Sequence, residues 1–189
     1  MFAMRYLRYG YIYNLIKIYT DILNQYINTT QYKVYILEKQ KPLYDNDKNL
    51  TKDGIHIMIP DIITKKNFQL FIREECLEKM GHIFKNDIKS ENDADDIFDE
   101  AVISKNNWML YGSSKPDKEC YKVSSVYEYN NTSEKNSLEK IDEKLTFSEY
   151  VKLFSIRNKF KETKLKFEKN SRYLEYNKII MDKEKEKLT

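Results

Sequence analysis

Hydrophobic and polar positions along the chain change period several times, and each change predicts an element. Apolar residues at 12, 15, 16, 19, 22, 23, 26 and 27 recur every three and four positions, which predicts an amphipathic helix over residues 11–27. Residues 32–37 are β-branched and aromatic, and 55–59 (IHIMI) are nearly all apolar between Gly54 and Pro60. Both read as strands, the second in the interior of a sheet. The polar stretch 40–54 between them (QKPLYDNDKNLTKDG) reads as a loop. Apolar positions 68, 70, 71, 72, 76, 77, 80, 83 and 84 predict a second helix over 66–84 with a break near Gly81.

Residues 86–96 are acidic and loop-like, with a short helix reaching to about Glu100. Segments 108–111 and 121–129 read as strands. In the latter, plain alternation puts Val123, Ser125 and Tyr127 on one face and Lys122, Ser124, Val126 and Glu128 on the other. The polar run 130–144 reads as a closing loop. Thr146, with Glu149 at the third helical position, predicts a capped helix over 146–160. Charge dominates 161–189, which reads as a solvated helix or frayed tail, and KEKEKL at its end is too polar to pack. The division expected is a domain over 1–145 followed by a helical, charged extension over 146–189.

Composition narrows the function classes. The chain has 189 residues, enough for one well-packed core and too few for two independent ones. Its 33 basic and 30 acidic residues leave a net charge of +3, which gives no argument for a strongly cationic nucleic-acid clamp, so any basic groove would be local. Cys76 and Cys120 stand far apart with no CxxC pair, which indicates neither a thiolate zinc site nor a disulfide framework. The apolar residues near the N-terminus are interrupted by Arg5, Arg8, Asn14, Lys17 and Asp21, so no membrane span is predicted and a soluble intracellular protein is expected.

Three places carry candidate chemistry. His56 lies within an apolar strand, where imidazole needs a partner or a cleft, and Gly54 and Lys52 stand two and four positions before it. A glycine lets backbone approach a ligand, and a lysine offers a point charge to phosphate. Asp99 is a carboxylate in the locally apolar run IFDEAVI, which calls for pairing, protonation or a cation. Asp96, Asp99 and Glu100 equally suit one solvated helix face. In YGSSKP, Ser113, Ser114 and Lys115 supply hydroxyls and an ammonium suited to phosphate oxygens, without the spacing of a Walker A loop.

Taken in order, DGIHIMIPD at 53–61 and DEAVISKNNWMLYGSSKP at 99–116 resemble the second and third motifs of the archaeo-eukaryotic primase superfamily. They are most similar to the N-terminal primase domain of primase-helicases of large DNA viruses, including poxvirus, asfarvirus and giant-virus types. The resemblance covers roughly residues 5–160. It implies an α+β fold, a small mixed or antiparallel sheet with flanking helices and an RRM-like core. It implies DNA-dependent nucleotidyl transfer supported by Mg²⁺ or Mn²⁺. By position, Asp99 is the metal ligand, His56 and Lys52 hold phosphate or sugar with Gly54 beside them, and Lys115 reaches the triphosphate, with Ser113 and Ser114 as weaker contacts. Met109 stands where cellular relatives often carry arginine.

The family's first motif, an acidic pair on a strand before the first long helix, has no counterpart before Asp21, so the resemblance describes an N-terminally incomplete domain. The implied partners are nucleoside triphosphates, a DNA template, a helicase domain or subunit, and a chain supplying the first motif, at a viral replication site in the infected cell. The competing expectation is a non-catalytic nucleotide or nucleic-acid binding module, or a replication-complex subunit.

Overall fold

The structure is a computed structural model that describes residues 2–47, 49–83, 90–106, 108–132, 136–155, 161–166 and 170–186. Of the sequence expectations, helix position 84, loop residues 86–89 and 133–135, Asn107, helix positions 156–160 and tail residues 167–169 and 187–189 lie outside the described residues. Two compact units divide the chain: residues 1–29, 64–107 and 163–189 form one, and 30–63 with 108–162 form the other. No helix among the described residues is long and apolar enough to cross a membrane.

The first unit is helical: α1 (Phe2–Tyr26), α2 (Lys66–His82), the single-turn helices α3 (Ala94–Ile97) and α4 (Ala101–Ser104), and α6 (Asn170–Glu186). The stripe read from spacing is the buried one, since Ile12, Leu15, Ile16, Ile22, Leu23 and Tyr26 of α1 are buried together with Phe68, Phe71, Ile72 and Cys76 of α2. Tyr26 meets Phe71 edge to face at 5.0 Å and donates its hydroxyl to Glu75 Oε2 at 3.2 Å. Glu75 also holds Arg172 of α6 at 2.7 Å. One buried carboxylate thus ties three helices, because each partner answers part of its desolvation.

The last carbonyls of α1 find donors in a crossing segment. Lys166 donates its backbone N–H to Tyr26 O and its ammonium to Asn24 O, at 2.7 and 2.6 Å. The tail packs more than its charge predicts, as α6 buries Tyr173 against Phe68 and Phe71, with ring centroids 5.3 and 5.7 Å apart.

The second unit holds strands β1 (Gln31–Glu38), β2 (Leu43–Asp45), β3 (Leu50–Lys52), β4 (Ile55–Met58), β5 (Lys122–Asn131) and β6 (Asn136–Ile141), and helix α5 (Phe147–Leu153). Four strands form an antiparallel sheet in the order β4-β1-β5-β6, and β2 and β3 form a separate hairpin. An α+β fold with an antiparallel sheet agrees with the expectation.

Several local expectations do not hold. IHIMI lies at an edge, since β4 pairs with β1 alone among the described strands and its residues are half-buried. The stretch 40–54 is not a plain loop but forms the hairpin, turned at Asn49 with φ 51°, a left-handed position that asparagine tolerates. Residues 108–111 form no strand and end in a turn. The run 130–144 contains β6, whose single buried residue, Leu138, leaves no alternation to read.

The faces of β5 also differ from plain alternation. Ile36 and Leu37 of β1 are consecutive, yet they pair with Ser125 and Val123, so Ser124 is an extra residue bulged from the ladder. Val123 therefore shares the face of Leu37, Tyr35 and Val126, while Ser125 and Tyr127 take the other. On the first face Tyr35, Leu37, Val126 and Tyr150 form a core with Met58, Val123, Tyr111 and Phe154 packed against it. The capping box is present as predicted, with Thr146 Oγ1 accepting from Glu149 N and Glu149 accepting from Thr146 N at 2.7 Å.

Candidate functional site

Strand ends, more than strand interiors, build the neighbourhood of His56. Antiparallel pairing sets Glu38, the last residue of β1, opposite both Ile55 at the start of β4 and Lys122 at the start of β5. The next residues beyond these rungs are Lys39, Gly54 and Tyr121, so three segments distant in sequence end side by side.

His56, paired with Leu37, stacks on Tyr121 with ring centroids 3.8 Å apart and planes at 16°, and meets Trp108 edge-on at 4.8 Å. The Lys39 ammonium lies 5.1 Å from the centroid of the Tyr121 ring, within cation–π range. Gly54 gives the stack room, because a Cβ there would stand 3.1 Å from the Tyr121 hydroxyl, tighter than an ordinary contact. Burial, and then the charge of Lys39, hold the His56 imidazole below its usual range, so it is neutral near pH 7. A neutral imidazole keeps one N–H to donate and one lone pair to accept with.

The other predicted residues lie in different settings. Lys52 is exposed at the end of β3, opposite Leu43. Ser113, Ser114 and Lys115 are exposed in the segment after a turn in which Ser113 N–H donates to Leu110 O at 2.9 Å. The glycine of that turn serves geometry, since Gly112 has φ +84° and a Cβ there would stand 2.6 Å from the Phe147 ring. Tyr111 anchors the turn. Its ring packs on Tyr150 and Phe154 at 5.3 and 5.4 Å, and its hydroxyl accepts Val123 N–H at 3.3 Å, beside the bulge. Among the described residues, no hydrogen bond, ion pair or ring contact joins Lys52 or Ser113–Lys115 to His56.

Asp99 belongs to the helical unit. It is exposed between α3 and α4, and its Oδ1 accepts Ala101 N–H at 2.8 Å. The apolar run around it therefore does not enclose the carboxylate, since the two short helices turn it to solvent. The segment is held from below by Arg73, which is fully buried and donates to Phe98 O at 2.6 Å and to Asp95 O at 2.8 Å. A two-cation centre needs several carboxylates converging on one place. Among the described residues no three His, Cys, Asp or Glu side chains gather in a way that holds a metal ion. Asp99, with one oxygen committed to a backbone amide, does not fit such a centre as it stands.

Residues 3–127, more than half of the chain, match the family described as the C962R protein N-terminal AEP domain, AEP standing for archaeo-eukaryotic primase. The chain belongs to this family. The matched range contains positions 39, 56, 99, 115 and 121 and ends inside β5. An Acanthamoeba polyphaga mimivirus protein titled "Putative helicase L207/L206" is 37% identical over 108 residues, 55% of this chain and 11% of that protein. The aligned part is thus about a ninth of the relative's length. No solved structure matches significantly.

Of the residues that surround His56, sequence reading singled out Gly54 and passed over Lys39, Tyr121 and the role of Trp108. Nothing in their spacing marks them, because only the strand register brings positions 39, 54 and 121 to one end of the sheet.

Proposed function

We propose that this chain is a primase-type domain that grips nucleotide for a viral primase-helicase, receiving the phosphates of a nucleoside triphosphate beside His56. The observation that carries this reading is the setting of His56: an imidazole half-buried among aromatic rings, with a lysine at hand, in a chain of the AEP family. Its N–H donates to a phosphate or sugar oxygen. Lys52 and Lys115, both exposed, add charge from flexible stems, and the Ser113 and Ser114 hydroxyls are available to the same anion.

In primer synthesis the 3′-hydroxyl of one nucleotide attacks the α-phosphorus of the next and pyrophosphate leaves, which asks the protein chiefly to position and neutralise phosphate. Among the described residues no three His, Cys, Asp or Glu side chains gather to hold a metal ion, so the reading is of a domain that binds nucleotide and depends on further acidic groups for transfer on a DNA template. The helicase title of the mimivirus relative supports a helicase domain or subunit as partner.

Calorimetric titration of ATP into the purified chain with EDTA present tests the reading. Binding that survives EDTA and is lost in His56→Ala supports it. No heat from the wild-type chain, with or without Mg²⁺ or Mn²⁺, would sink it.

A further inference from the structure

We propose that Lys39, held over the Tyr121 ring beside His56, is the principal cation for the triphosphate at this site, and that Tyr121 is the positioning residue for both. The inference rests on the nucleotide reading above and deepens it. Among the basic residues considered at the site, Lys52 and Lys115 are exposed, and no described contact brings either to His56. Lys39 is only half-exposed, one residue past the Glu38 rung that faces both Ile55 and Lys122, and its ammonium is 5.1 Å from the Tyr121 ring centroid. The same ring carries His56 at 3.8 Å, so one aromatic side chain holds a cation and an imidazole together. Neither group has a hydrogen bond among the described residues, which leaves three ammonium donors and an imidazole N–H available to an anion. The charge of Lys39 reaches His56 and disfavours its protonation. A bound polyphosphate would reverse that balance, so its binding draws a proton onto the imidazole.

Phosphate oxygens of this kind occur on a nucleoside triphosphate and along a nucleic-acid backbone. Three probes, each in EDTA, separate the sources: ATP, inorganic tripolyphosphate and an oligothymidylate. Lys39→Ala is expected to weaken ATP and tripolyphosphate about tenfold or more, the loss of one charge-assisted contact, with Lys39→Arg staying closer to wild type. Lys144→Ala, at an exposed lysine paired with Asp142, serves as the surface control and is expected to change neither. Tyr121→Phe keeps the ring and retains binding, whereas Tyr121→Leu loses it and shifts the His56 ring resonances in the NMR spectrum. His56 resonances also report proton uptake on adding tripolyphosphate to the wild type.

If Lys39→Ala and Lys39→Gln both bind ATP within twofold of wild type while His56→Ala does not, the Lys39 assignment is wrong and the nucleotide reading stands. Loss confined to the oligothymidylate would overturn the triphosphate assignment in favour of strand contact. A wild-type chain that binds neither ATP nor tripolyphosphate removes both.

Discussion

Arg73 of the helical unit, which is buried, and the Lys39–His56 pair of the sheet unit, which is half-buried, are basic groups that differ in how much of their bonding capacity is used. Arg73 donates from Nε to Phe98 O at 2.6 Å, from Nη2 to Asp95 O and Oδ1 at 2.8 Å, and from Nη1 to Glu74 at 3.4 Å. Its guanidinium is consumed in fixing the segment that leads to Asp99. Lys39 and His56 rest on an aromatic ring, which orients them without satisfying a single N–H. A buried guanidinium that donates from all three of its nitrogens is a structural tie, and a half-buried cation oriented but unanswered is built for something that arrives later.

The hardest test of that contrast is stability. Arg73→Ala leaves two carbonyls and two carboxylates without this donor, and the expected loss is about 3 kcal/mol or more by urea unfolding. Asp95→Ala is expected to cost under about 1 kcal/mol, because the Asp95 side chain is largely exposed and the pair is screened. Lys39→Ala should likewise stay within about 1 kcal/mol of wild type, since it breaks one ring contact. A Lys39→Ala loss as large as that of Arg73→Ala would erase the distinction and make Lys39 a tie as well.

Gly112 is the corresponding fixed point of the sheet unit, held by backbone geometry where Arg73 works by charge. Gly112→Ala combines a left-handed φ of +84° with a Cβ 2.6 Å from Phe147, and is expected to destabilise by about 2 kcal/mol. Adding Phe147→Ala should relieve the steric part of that penalty and leave the backbone part. A double variant no better than Gly112→Ala would show that the ring is not what confines the turn carrying Ser113–Lys115.

Which parts were readable from sequence follows from how local their causes are. The buried stripe of α1 and the strands β1 and β5 announce themselves by spacing and composition. So does the Thr146–Glu149 box, which is complete within four residues. The hairpin at 43–52 is hidden from sequence because its strands are three residues long and Leu43, Tyr44 and all of β3 are exposed, so no alternation marks them. β6 stayed hidden because it buries Leu138 alone, and the faces of β5 were misassigned because the Ser124 bulge is a property of the pairing with Ile36 and Leu37. The site divides the same way. His56 stands out as a lone polar residue in an apolar strand, whereas Lys39 and Tyr121 acquire meaning only when the Glu38 rung sets them next to Gly54. Asp99 was legible as an acid among apolar neighbours, and the turn between α3 and α4 that exposes it was not.

A smaller effect tests the local signal directly. Thr146→Ala removes the side chain that caps α5 and should cost about 1 kcal/mol. The Thr146 side-chain and backbone donors, the largest causes, lower the Glu149 pKa in the fold. A depressed carboxyl contributes stability above its unfolded value and loses it as pH falls through the folded one. The gap between wild type and Thr146→Ala should therefore narrow on acidification below the usual glutamate range. A gap independent of pH would mean that Glu149 takes no part in the cap.

The smallest effect returns to His56. Its pKa is lowered in the fold, first by burial and then by Lys39, so the unfolded chain takes up a proton at a pH where the folded chain still refuses it. Stability contributed by the neutral ring is fully present above the ordinary histidine value and declines as pH falls through that value toward the folded one. His56→Gln should flatten the slope of stability against pH in this window, and Lys39→Ala should reduce it in part, because it removes the second cause and leaves burial. Added tripolyphosphate should move the His56 titration upward in the wild-type chain and much less in Lys39→Ala, as followed by its ring resonances. A slope unchanged in His56→Gln would mean that the ring is as free to protonate in the fold as out of it, and the contrast with the tie made by Arg73 would lose its sheet-side half.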